Sequence, residues 1–136
     1  MSIKKDMSLP PAPPVPWRLA VVTTADHPDL ATTLSRRLWP LLRDRAKAGP
    51  VSLLSPGGPA DSVAAALAND RGWLHSSVGS CTDPPFRPGP RSWATAVANA
   101  DAAVLVFADE VPPAALTRLA EFAVWLRVPV RWVRVS

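Results

Sequence analysis

The chain has 136 residues, 48% of them apolar and 19% charged, which suits one globular domain with its own core and excludes a disordered chain. Its longest apolar runs, such as Ala102–Ala108, are far shorter than the roughly 20 residues that cross a bilayer, and the single cysteine, Cys81, excludes an internal disulfide or a cysteine-rich zinc site. The net charge of +4 lies entirely in residues 1–50, where eight Lys/Arg face four Asp, so no nucleic-acid partner is expected for the rest of the chain.

In chain order, Met1–Asp6 is basic but is followed by Pro10, Pro11, Pro13, Pro14 and Pro16. A signal peptide needs an apolar segment there, so the expected location is the cytoplasm, with no membrane association. Residues 1–16 read as a flexible proline-rich tail, and residues 17–136 as the folded domain. Arg18–Thr24 has the short apolar run of a strand buried on both faces.

Asp26-His27-Pro28-Asp29 carries helix-start chemistry, and Leu30, Leu34, Leu38, Leu41 and Leu42 recur at helical spacing, which predicts an amphipathic helix over 29–47. Pro40 is expected to kink that helix or cut it in two. Val51–Leu54 is a second strand, and the loop Ser55–Asp61 leads into an Ala-rich helix that Gly72 should stop. Residues 73–78 predict a weak third strand, and 79–90 a long irregular loop. Ser92 is placed to cap a short helix running to Asn99.

Ala102–Ala108 is the clearest buried strand. Pro112-Pro113 opens a last helix with Leu116, Leu119, Ala120, Ala123 and Leu126 on one face, and 130–135 alternates like an edge strand. Trp17, Trp39, Trp93, Trp125 and Trp132 fall on these elements and are expected mainly to fill the core, with exposure at a sheet edge as the alternative for Trp132.

Strands and helices that alternate in this way predict an α/β fold: a single-domain, Rossmann-like three-layer sandwich with a mainly parallel sheet of about five strands. Ligands of such sheets bind beyond the carboxyl ends of the strands, which nominates the loops 23–29, 55–61 and 108–113.

The strand followed by Gly57-Gly58-Pro59-Ala60-Asp61 and an Ala-rich helix resembles the Gly-Gly-x-x-Gly-Ala-Asp segment of the SLOG superfamily. Within that superfamily the similarity is to the small YspA-like proteins, relatives of DprA and of the lysine-decarboxylase-like proteins. Gly89-Pro90-Arg91-Ser92 and Ala100–Phe107 resemble the same template's Gly-Pro-x-Arg-Asn helix and Ala-Asp-x-Val strand, so the likeness runs over residues 17–135. It implies a Rossmann-like domain that takes a nucleotide or ADP-ribose-like ligand, with no resident cofactor.

The glycine-rich loops depart from that template. The first reads Thr23-Thr24-Ala25-Asp26, and after the fourth strand Asp109-Glu110-Val111-Pro112-Pro113 replaces a glycine turn that would face phosphate. Backbone N–H groups reach a phosphate only where no side chain intervenes, so the pocket is expected to be reduced, altered or lost.

The candidate ligand-binding residues are Thr23, Thr24, Gly57, Gly58, Asp61 and Arg91. Gly57, Gly58 and Asp61 read either as an anion-binding turn or as a tight connection with Asp61 as an N-cap. Arg91 reads as a fork for a phosphate or carboxylate, or as a solvated loop residue. Asp109 and Glu110 are the candidate catalytic acids, or else first-turn acids that favour the last helix.

His27 and His75 lack metal-ligand spacing, and no metal site is expected. A Ser55/His27/Asp61 triad lacks the Gly-x-Ser-x-Gly frame. Arg36, Arg43 and Lys47 form one stripe on the first helix, open to nucleic acid, to an acidic partner or, as the leading reading, to solvent.

The leading expectation is a non-catalytic module that senses a nucleotide-derived ligand or binds a protein. The alternatives are a hydrolase or transferase acting on a nucleoside N-glycosidic bond, and a scaffold or homodimer with a decayed pocket.

Overall fold

A computed structural model describes residues 15–24, 30–56, 59–77 and 90–135. Five strands alternate with helices: β1 (Trp17–Thr23), α1 (Leu30–Ala48), β2 (Val51–Ser55), α2 (Pro59–Arg71), β3 (Leu74–Ser77), α3 (Pro90–Ala98), β4 (Ala102–Phe107), α4 (Ala114–Trp125) and β5 (Val130–Arg134). The strands form one sheet in the order β3-β2-β1-β4-β5, and every neighbouring pair is parallel. This is the α/β, Rossmann-like sandwich expected from the alternation of elements.

Side chains alternate across the strands, so the core falls into two layers. Leu19, Val21, Leu53 and Val104 face Leu34, Leu38 and Leu42 of α1 and Val63, Ala64 and Leu67 of α2. Ala20, Val22, Ala103 and Leu105 face Ala96 and Val97 of α3 and Leu116, Leu119 and Ala123 of α4. Asp101 fastens the amino ends of β1 and β4. Its N–H donates to the Arg18 carbonyl at 2.8 Å, and its carboxylate accepts the Arg18 N–H at 2.9 Å.

Three helix-level expectations need correction. α1 is one helix that runs through Pro40, so the expected cut in two does not occur. Pro40 is exposed on the outer side, while Leu34, Leu38 and Leu42 seat both halves on the sheet, so packing outweighs the missing hydrogen bond. α3 begins at Pro90, which puts Ser92 inside the helix, fully buried, instead of at its cap; proline's fixed φ suits a first helical turn. α2 likewise begins at Pro59, so Asp61 lies within its first turn.

The tryptophans do not fill the core. Trp125 is 78% exposed and Trp132 39%, the latter on the edge strand as its alternative reading has it, while Trp17 and Trp73 are half-buried against one core layer, Trp93 against the other, and Trp39 is half-buried on α1. The helices present mainly Leu, Val and Ala to the sheet. Gly72 ends α2 with φ +72°, the left-handed turn for which glycine is suited. No helix among the described residues is long and apolar enough to cross a membrane.

Candidate functional site

Strand register brings together a polar cluster at the carboxyl edge of the sheet. Leu53 pairs with His75 and Ser55 with Ser77, so His75, Ser55 and Ser77 share the face that α2 covers. Asp61, in the first turn of α2, supplies the carboxylate.

The Ser55 hydroxyl donates to Asp61 Oδ1, and the Ser77 hydroxyl donates to Oδ2 at 2.8 Å. On its other side, Ser55 Oγ lies 2.8 Å from His75 Nε2. A serine has one proton to give, and here it goes to Asp61; Ser55 must then accept from a protonated Nε2 of His75. The chain of donors therefore runs from His75 through Ser55 to Asp61.

That order is the reverse of an activated serine, in which histidine takes the hydroxyl proton. Ser55 is also 0% exposed, so no substrate carbonyl can reach its oxygen. The cluster works as a brace. It ties the start of α2 to β2 and to the edge strand β3, and so fixes where the β2–α2 connection leaves the sheet.

The second part of the edge is the switch in strand order between β1 and β4. From β1 the chain builds outward through β2 and β3; from β4 it builds the other way to β5. Thr23 is buried at the end of β1 and Thr24 is exposed just beyond it. The Thr24 N–H donates to the Val106 carbonyl at 3.2 Å, and the Val135 N–H to that of Phe107 at 2.8 Å, so the ladder stays closed almost to the tip of β4. Asp109 and Glu110 follow β4 on an exposed turn.

Of the candidate residues, Thr23, Thr24, Asp61, Asp109 and Glu110 all lie at the carboxyl edge. Gly57 and Gly58, together with His27 and Cys81, fall outside the described residues, as does the Arg91 side chain. His75 and Ser77 were missed as site residues. Their spacing of two is the signal that sets them on one face of a strand, but the register that carries them to Ser55 is a tertiary property. Among the described residues, no group of three or more His, Cys, Asp or Glu could hold a metal ion.

Compared with family models, with curated proteins and with solved structures, the chain finds no match in any of the three.

Proposed function

We propose that this chain is a non-catalytic, Rossmann-like module that senses a nucleotide-derived ligand at the carboxyl edge of its sheet. The observation that carries this reading is the strand order β3-β2-β1-β4-β5, which reverses between β1 and β4. Open α/β sheets bind ligands at such a reversal, and Thr23 and Thr24 stand at it. The resemblance of the 57–61 and 89–92 segments to SLOG domains supplies the ligand class.

The non-catalytic half of the reading rests on how the reactive groups are used. Asp61, Ser55 and His75 hydrogen-bond to one another, which leaves Ser55 without a base to activate it. Asp109 and Glu110 are exposed, whereas a carboxylate that attacks or protonates a glycosidic bond works in a site shielded from water. The N-glycosidic hydrolase is therefore the weaker alternative.

The test is a thermal-shift series on the full chain with nucleotides, ADP-ribose, NAD and cyclic nucleotides at millimolar concentration. A ligand at about 100 times its Kd adds roughly 2.7 kcal/mol, which is a rise of several degrees for a domain of this size. A rise abolished by Gly58→Ala or Arg91→Ala supports a ligand seat on these loops. A flat series from well-folded protein overturns the reading.

A further inference from the structure

We propose that the groove between α1 and α2 is a docking site for an acidic amphipathic helix of a partner protein. This surface is separate from the carboxyl-edge site, and its occupant is a protein segment. Charge comes first. α1 carries Arg36, Arg37, Arg43, Arg45 and Lys47 against Asp44 alone, a surplus of four that equals the net charge of the whole chain. All five basic residues are exposed.

Arg36, Arg43 and Lys47 lie on the crest of the helix, opposite the buried Leu34 and Leu38. Their spacings of seven and four residues correspond to about 10.5 and 6 Å along the axis. Acids on a second helix laid beside α1 repeat at the same intervals.

Shape comes second. Beside this crest runs a groove of about 600 Å³, floored by Trp39 and Pro40 of α1 and Ala66 and Leu67 of α2. It shares Trp39, Asp70 and Arg71 with an adjoining hollow of about 750 Å³ at the amino end of the sheet, where Pro50 and Trp73 continue the apolar lining. The groove is open where α2 presents the small, exposed Ala66. A small residue at this position lets a third helix approach at ordinary packing distance.

The groove wall is also held by a fixed cation. The Arg71 guanidinium lies 4.1 Å from the Trp39 ring centre, and Nη2 donates to Ser35 Oγ at 3.2 Å. Its Nε is buried, makes no hydrogen bond and is ion-paired with Asp70 at 3.7 Å. This guanidinium pins α2 to α1 along the groove, and the charge offered to the partner is that of the α1 crest.

Trp39 carries Arg71 and also stacks with Trp73 at 6.3 Å between centroids. Its ring is thus already engaged, where single-stranded nucleic acid needs free aromatic faces for its bases. That observation, with the apolar floor, favours an acidic peptide over an oligonucleotide.

The experiment is fluorescence anisotropy on the full chain. The probe is a labelled helical peptide of about 20 residues with Glu flanking a Leu/Ala stripe. A counterpart with every Glu changed to Gln and a single-stranded oligonucleotide are measured alongside. The acidic peptide is expected to bind and to weaken as salt rises from about 0.05 to 0.3 M. The exposed pair Arg36→Glu/Arg43→Glu should weaken it by roughly tenfold or more. Ala66→Trp, which fills the groove without touching the charges, should do the same, with circular dichroism unchanged in both variants.

The proposal is overturned if the acidic peptide does not bind or if its Gln counterpart binds equally well. It is equally overturned if the charge-reversed chain keeps full affinity, or if the oligonucleotide binds more tightly than the peptide. The nucleotide thermal shift is read with a different ligand and with variants outside the groove, so the two readings fail independently.

Discussion

Ser55 Oγ sits 2.8 Å from His75 Nε2 across two parallel strands, and the same hydroxyl is bound to Asp61 on the helix above. One buried oxygen thus joins three elements: β2, β3 and α2. Ser55→Ala removes it and leaves two polar partners facing an apolar methyl. The expected loss is about 1–3 kcal/mol of unfolding free energy, read from urea denaturation. Ser55→Cys, similar in size but a weak donor, should recover only part of it.

Asp61 accepts from both Ser55 and Ser77, so its removal is coupled to theirs. Asp61→Ala and Ser77→Ala should each destabilise the protein, while the double variant falls short of the sum by about 0.5 kcal/mol or more. A double-mutant cycle in urea measures the difference, and strict additivity would remove the brace as an energetic unit.

Pro40 occupies the interior of α1 on its solvent side. Pro40→Ala restores a backbone donor and relieves the clash with the preceding turn, at some cost from a freer unfolded chain. The net expectation is a gain of about 1–2 kcal/mol, seen as a higher Tm by circular dichroism. A lower Tm would mean that proline's restriction of the unfolded chain outweighs the missing helix hydrogen bond.

The two described glycines separate backbone strain from crowding. Neither would meet an atom within 4 Å on gaining a Cβ, yet Gly72 alone has φ of +72°. Gly72→Ala is expected to cost about 1–2 kcal/mol and Gly49→Ala close to none, by thermal or chemical denaturation. Equal effects would show that conformation is not the deciding difference.

Trp125 and Leu38 invert the usual ranking by size. Trp125 is 78% exposed and touches mainly Phe122, whereas Leu38 is fully buried. Trp125→Ala should change stability by about 0.5 kcal/mol or less, and Leu38→Ala should cost about 2–5 kcal/mol. Trp125→Phe should also remove much of the fluorescence that acrylamide quenches.

Alternation of strand and helix was enough to read the architecture from sequence, because apolar runs of five to seven residues and a leucine period of four leave little ambiguity. The half-exposed edge strand β5 was legible in the same way. Large aromatics misled in part: an indole suits a core by hydrophobicity, but Trp125 is exposed and Trp17 and Trp93 only flank the core, while Trp132 is exposed on the edge strand as its alternative reading has it. Pro40 and Ser92 misled because local rules for proline and for capping were outweighed by packing and by Pro90. The brace was half legible. Ser55 and Asp61 stand out at the β2–α2 junction, while His75 enters only through pairing with Leu53, which no local pattern encodes.

The clamp between Asp101 and Arg18 spans 83 positions, and β1 gains its β4 flank only when that distance closes. During synthesis at about 5–20 residues per second, β1 waits several seconds with one long edge unpaired. The N-terminal half can assemble β1, α1, β2, α2 and β3 in that interval, but it offers Val21 and Val22 on an open edge until β4 arrives. The seam at the centre of the finished sheet therefore closes after both seams of the N-terminal half. An early release of the chain before β4 would leave a sticky edge in place of a core.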